Sequence, residues 1–433
     1  MHVGKRSQAM PTRAQLTRQT YAIVLAGGRG SRLRQLTDWR AKPAVPFAGK
    51  LKIIDFALSN CVNSDVRRIG VLTQYKAQSL IRHVERGWGF LATSLGEFVD
   101  VIPAQQQRGE VWYSGTANAV WQNLGIVQKE RPAHLLILGG DHVYKMDYAV
   151  MLEEHVARGA RLSVACIEVP LEQAHELGVM SVSADARIIA FAEKPAHPTP
   201  MPGRPTHALA SMGIYVFDTE LLVDLLSTDA ADAQSTHDFG RDIIPAAIGR
   251  YPVYAHRFAD SCVNMVGNEP YWRDVGTIDA YWEAHMDLTQ VVPDLNLYDD
   301  SWPILSLQPQ LAPAKFVFDE QGRRGVAIDS LVSSGCIVSG ATVRRSVLFS
   351  RVRVDEGSSI EESAVLPYVT VGRKVLLRRA VVDKYCHLPD GFVAGLDHRA
   401  DRQRGFHVTE RGITLVTPEM LGQAFRTKGE PSA

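Results

Sequence analysis

The residues best suited to chemistry begin with Gly27-Gly28-Arg29-Gly30-Ser31-Arg32, which follows the apolar run Tyr21–Leu25 directly. Glycines let a backbone approach a ligand closely, and successive N–H groups form an anion-binding concavity. Arg29 and Arg32 add charge at its mouth, and Arg32 can grip phosphate with a bidentate fork. Lys42 is a further cation nearby. The turn is not the dinucleotide fingerprint, because Leu33 stands where a third glycine is required, and it is not a GxxxxGK phosphate loop. Asp141 follows the apolar stretch Leu135–Leu138 through Gly139-Gly140, and a carboxylate just past a parallel strand lies where open α/β sheets bind ligands. Asp274, in Trp272-Arg273-Asp274-Val275-Gly276, is a second carboxylate. Magnesium favours one or two such groups together with substrate phosphates. Glu193-Lys194 closes the strand-like run Ile188–Ala192: the acid accepts from hydroxyls and the lysine offers a point charge to phosphate.

Elements that could position these groups are legible in the apolar pattern. From about residue 21 to 300, short apolar runs (Tyr21–Leu25, Ile69–Leu72, Leu135–Leu138) alternate with stretches at helical spacing such as Phe56, Leu58 and Val62. That alternation predicts a Rossmann-like, mostly parallel sheet with helices on both faces. Prolines 303, 309 and 313 mark 301–328 as a linker with extended pieces. After 328 the pattern changes. Aliphatic residues recur at Ile337, Val343, Leu348, Val354, Ile360, Leu366, Val371, Leu377, Val382 and Leu388, in steps of five or six. A hexapeptide period is the signature of a parallel β-helix, here expected over 329–433 as a left-handed coil serving oligomerisation and regulation. Residues 1–20 read as a flexible basic tail.

Composition bounds the function. The chain has 433 residues, 45% of them apolar, with 47 basic and 47 acidic side chains. A net charge of zero provides no overall field for nucleic acid or membrane, so any phosphate binding must be local. Apolar runs fall far short of a membrane span. The five cysteines show no CxxC spacing, which suits a reducing cytoplasm better than a disulfide framework.

Leu25-Ala26-Gly27-Gly28-Arg29-Gly30-Ser31-Arg32-Leu33 with Lys42-Pro43-Ala44 resembles the nucleotide-binding signature of sugar-1-phosphate nucleotidylyltransferases. The stretch Ile53–Cys61, Trp112–Ala117, Ala210–Tyr215, His237–Gly240 and Tyr271–Thr277 are similar to segments of the glucose-1-phosphate adenylyltransferases. The resemblance implies adenylyl transfer from ATP to α-D-glucose 1-phosphate for glycogen synthesis, with Mg2+ as cofactor. It implies Arg32 and Asp141 as catalytic residues and Asp141 and Asp274 as metal ligands. It implies that the nucleotide lies on Leu25, Ala26, Gly27, Gly28, Gly30, Lys42, Gln105 and Gly115. The sugar phosphate lies on Tyr113, Gly178, Glu193, Lys194 and Ser211. Gln106 resembles a further residue near the base. A cytoplasmic homotetramer controlled by sugar-phosphate or nucleotide effectors is implied too, with Arg40 in the effector site.

Some positions depart from the family pattern. Asn118 stands where an aspartate is usual and Gly139 where an alanine is. Trp39, Pro46, Pro418 and Gly422 occupy positions that are basic in enterobacterial relatives, so an altered effector choice is expected. Transfer of another nucleotide or sugar, and a non-catalytic regulatory chain that kept the fold, are the competing readings.

Overall fold

The computed structural model describes residues 10–28, 30–105, 112–265, 269–320 and 323–423. Arg29 and Gln106 lie outside them. The catalytic sheet comprises β1 (Thr20–Leu25), β2 (Arg68–Thr73), β3 (Phe98–Pro103), β4 (His134–Gly139), β5 (Leu162–Pro170), β6 (Gly178–Val182), β7 (Ile188–Glu193), β8 (His207–Asp218) and β9 (Val253–Arg257). The order runs β7-β6-β8-β4-β1-β2-β3, with β5 joining β8 to β9. The centre, β3-β2-β1-β4, is parallel, as is β5 with β9. β8 runs antiparallel to β4, β5 and β6, which makes the sheet mixed. Buried apolar residues on alternate positions of β1 face different cores: Tyr21 and Ile23 join one, Ala22 and Val24 the other. Strands covered on both faces need such near-continuous apolar runs.

Residues 13–18, expected as part of a loose tail, form a short helix. Thr12 and Gln15 close a capping box, the Gln15 N–H donating to Thr12 Oγ1 and the Thr12 N–H to Gln15 Oε1. Leu16 is buried and supplies the apolar anchor.

Downstream, the chain winds into three parallel ladders, the arrangement of a left-handed β-helix of hexapeptide repeats. Thr342 pairs with Ser359 and Ser359 with Leu376, an advance of 17 residues per coil. That is why the aliphatic spacing mixes fives with sixes. The first ladder strands, Lys315–Val317 and Val326–Ile328, lie inside the stretch read as linker. Two apolar positions also differ from the reading. Val338 rather than Ile337 points inward, and Val365 rather than Leu366 fills the coil.

Leu366 is nonetheless buried, in a cluster that joins the coil to the catalytic domain. There Val347, Phe349, Leu366 and Val381 meet Leu33, Leu36, Phe47, Phe56 and Tyr281. A buried bidentate ion pair lies across the same boundary, Arg40 donating to both Asp383 oxygens at 2.8 and 2.9 Å. Removing one partner of a buried pair leaves an uncompensated charge. Asp383→Ala is therefore expected to lower stability by about 3–5 kcal/mol, read by chemical denaturation, whereas replacement of exposed Asp319 in the pair with Arg324 should change it by less than about 1 kcal/mol.

Candidate active site

A cavity of about 560 Å³ opens at the C-terminal ends of β1, β2 and β4. Its wall includes Leu25, Ala26, Gly27, Gly28, Gly30, Arg32, Lys42, Tyr113, Gly115, Asp141 and Glu193. The crevice therefore gathers most of the residues that the sequence singled out, from segments more than 160 positions apart.

Two glycines make the cationic part possible. Gly30 has φ +63°, and a Cβ there would stand 2.9 Å from Lys42 Cβ. Its missing side chain admits the lysine. Gly140 lies against β1, its N–H donating to Leu25 O at 3.0 Å, and a Cβ would stand 2.9 Å from Val24. This close approach sets Asp141 over the end of β1. Asp274 arrives on a short strand, Trp272–Arg273, paired with Val143–Tyr144.

Lys42 is buried, and its Nζ donates to Asp141 Oδ2 at 3.0 Å and to Asp274 Oδ1 at 2.5 Å. Arg32, half exposed, donates to Asp274 at 3.1 Å and to Glu176 at 2.6 Å. Burial alone would raise the Asp141 carboxyl, but the charge of Lys42, with His142, more than offsets it and holds the group far below the usual carboxylate range. Asp274 is lowered for the same reason. Lys42 is raised, because its two acids outweigh the cost of burial. Donor atoms of Asp141, His142 and Asp274 lie within 4.8 Å of one another. Two ionised carboxylates this close already require a cation between them, and an oxygen-donor pair of this kind fits magnesium.

Glu193 is held differently. It pairs in register with Gly178 across β6 and β7. A Cβ on Gly178 would stand 2.8 Å from its Oε2 and one on Gly240 2.4 Å, so the carboxylate fits between two glycines. Burial, then the nearby Asp238, raise it above the usual range. Tyr113 lines the cavity, its hydroxyl accepting from Asn123 Nδ2 at 2.9 Å. At Gly115 any Cβ would meet His237 O at 2.2 Å.

Other residues fall outside the wall. Lys194 is mostly exposed, with Nζ 3.9 Å from Glu193 Oε1, and does not line the cavity. Ser211 is buried, accepting from the Gly213 N–H at 3.3 Å. Gln105 lines a separate groove with Ile81 and Asp100. Arg40 is committed to Asp383 at the domain boundary. Asn118 accepts from the Ser114 N–H and Gln122 Nε2, so its amide ties the start of its helix and does not line the cavity. Trp39, one of the departures, donates to Glu419 across the boundary at 2.7 Å.

Asp238, Tyr215 and Gln74 line the cavity without having been assigned a role. Asp238 caps a turn by accepting from the Gly240 and Arg241 N–H groups and also accepts from Thr116 Oγ1. Its signal was present in His237-Asp238-Phe239-Gly240, a motif read as a resemblance and not as chemistry. Glu176, the partner of Arg32, carried no signal.

A glycine turn, two cations, two acids held ionised and an enclosed carboxylate thus meet at or beside one crevice. Residues 21–291 match the nucleotidyl transferase family, and residues 312–416 match the GlmU-like C-terminal hexapeptide family. The chain belongs to the nucleotidyl transferase family. It is 62% identical to the glucose-1-phosphate adenylyltransferase of Nitrosospira multiformis over 410 residues, 95% of this chain and 96% of that protein. It is 60% identical to the enzyme of that name from Nitrosomonas europaea, covering 94% of each chain, and 59% to that from Dechloromonas aromatica, covering 94% and 93%. No helix among the described residues is long and apolar enough to cross a membrane.

The Lys42 bridge has a pH signature. In the intact chain Asp141 binds its proton less readily folded than unfolded, so its contribution is complete above the unfolded value and lost only in acid near pH 4 and below. In Lys42→Met the two acids face each other in a buried site, and the carboxyl of one rises above its unfolded value. That variant should gain stability relative to the parent between pH 7 and 5, measured as the difference in denaturation free energy at each pH.

Proposed function

We propose that this enzyme transfers the adenylyl group of ATP to α-D-glucose 1-phosphate, giving ADP-glucose and pyrophosphate for glycogen synthesis. The observation that carries the reading is the pairing, in one cavity, of Arg32, Lys42 and Asp141 with the Glu193 cradle, Asp274 joining them through its contacts with Lys42 and Arg32. The relatives' names supply the adenylyl donor and the sugar.

In this reaction an oxygen of the sugar phosphate bonds to the α-phosphorus of ATP. The bond from that phosphorus to the bridging oxygen breaks, and pyrophosphate leaves with the electron pair. The attacking oxygen is already anionic, so no side-chain base is needed. What the protein must supply is positioning and charge stabilisation. The glycine turn brings backbone close to the nucleotide. Arg32 exchanges Glu176 for phosphate oxygens of the leaving group, a gain for a donor fork now spent on an exposed acid. Lys42 neutralises the acids and adds positive charge beside the phosphates. Glu193 accepts from sugar hydroxyls, Tyr113 and Gly178 shape the space around it, and Lys194 receives the sugar's phosphate. Asp141 and Asp274 would hold magnesium, which when bound screens charge on the phosphates.

The proposal extends to a cytoplasmic homotetramer regulated by sugar-phosphate or nucleotide effectors. With Trp39, Pro46, Pro418 and Gly422 in place of cations, each lost charge-assisted contact would weaken a bisphosphate by about 1.5–3 kcal/mol. Fructose 1,6-bisphosphate is expected to activate weakly, and strong activation in a titration would contradict this part.

Pyrophosphate release with glucose 1-phosphate and each of the four nucleoside triphosphates tests the main reading: ATP should be preferred. Arg32→Ala should lower kcat by roughly 10²–10³-fold. Lys194→Ala should raise the KM for glucose 1-phosphate far more than that for ATP. Preference for another triphosphate, or no turnover without a partner chain, would overturn it.

A further inference from the structure

At the opposite end of the sheet from the cavity, His134, His155 and Asp218 converge. His134 opens β4 and Asp218 closes β8, and the two are register partners. His155 comes from the helix Tyr148–Ala157 packed over them. Asp218 Oδ1 lies 3.4 Å from His134 Nδ1 and 3.2 Å from His155 Nε2. All three donor atoms fall within 4.8 Å of one another. Ligands around a tetrahedral ion with bonds of about 2.0–2.1 Å stand about 3.3–3.5 Å apart.

We propose that His134, His155 and Asp218 form a binding site for a zinc-class transition-metal ion, separate from the magnesium-type acids of the cavity.

Two further observations support it. A single carboxylate oxygen, Asp218 Oδ1, faces two imidazole nitrogens, His134 Nδ1 and His155 Nε2. His155 is buried. Its Nδ1 lies 2.9 Å from Ser163 Oγ, the outer contact that fixes the tautomer of a ligating histidine. If Nδ1–H donates to Ser163, Nε2 turns a lone pair towards the Asp218 oxygen, and a cation between them removes the repulsion. Arg161 holds the other oxygen, Oδ2, at 2.6 Å, which leaves Oδ1 for the ion. Two imidazoles and one carboxylate select zinc, cobalt or nickel over magnesium, and a water completes the fourth position. Asp141 follows the far end of β4, so an ion here stabilises the base of the sheet and takes no part in transfer.

The test is cobalt(II) binding to the chelator-treated full chain in excess magnesium. The expected result is about one equivalent bound, with the visible absorption of tetrahedral cobalt, displaced by zinc, and a rise in Tm on loading. His134→Gln and Asp218→Asn should each weaken binding by about tenfold or more, while Asp274→Asn retains it. Ser163→Ala provides a milder probe that keeps all three ligands, and it too should weaken binding. Absence of the cobalt spectrum from the parent chain overturns the proposal. So does binding left unchanged by His134→Gln, or binding lost with Asp274→Asn.

Discussion

The site depends on one electrostatic requirement: two carboxylates from distant segments must sit together, ionised, at the end of a sheet. Asp141 is fixed by the loop after β4 and Asp274 by the short strand beside it. At such a distance, under partial burial, one of them would take up a proton unless a cation intervened. Lys42 is that cation, and it reaches them only because Gly30 leaves room. The glycines of the turn thus do more than expose backbone. They set the depth at which the lysine can enter, and Gly140 sets the depth at which Asp141 lies. Lys42 and Arg32 offset Asp141 and Asp274 before any substrate arrives.

The same principle separates the acids by role. Asp141 is driven down by its cations, whereas Glu193 is driven up by burial and a neighbouring acid. Carboxylates whose environments push them apart in this way serve different tasks. The depressed pair remains anionic and can hold a metal. The raised one, enclosed by Gly178 and Gly240, suits neutral hydroxyls. Arg32 stands between solvent and Asp274 with Glu176 as its other partner, a contact that a phosphate can replace without leaving the guanidinium unpaired.

Most of this arrangement is written locally in the sequence. The strand–glycine–cation run, the acid after Gly139-Gly140 and the five-or-six spacing of the coil each state a physical demand that short-range pattern can express. Other parts are not local. Glu193 and Lys194 are neighbours in sequence, yet one lines the cavity and the other is exposed outside its wall, and the backbone at Lys194 turns through φ +48°. Asp238 looks like an ordinary turn residue until β7 is placed beside it. In the helix Ile54–Asn63, Asp55, Ser59 and Asn60 are buried polar residues that periodicity would assign to solvent. Their partners are His83, Trp88, Leu305, Ser306 and Tyr144, brought in by other segments. Val338 and Val365 were misplaced by one position because adjacent aliphatics satisfy the same period, and only the ladder register chooses between them.

The boundary between the two domains follows from these facts. Leu33 and Leu36 belong to the turn that carries Arg32, and they are buried in the same cluster as Val347 and Phe349 of the coil. Arg40 is locked onto Asp383 two residues before Lys42. Only Ala41 separates them, and Lys42 opens the short turn Lys42–Ala44. A displacement of Asp383 relative to the sheet would therefore reach Lys42 through a single residue. Since Lys42 is what keeps Asp141 and Asp274 ionised and together, the coil is mechanically continuous with the charge balance of the crevice. Contiguity alone does not make a switch. A ligand would act through this route only to the extent that it bound one position of the coil better than another.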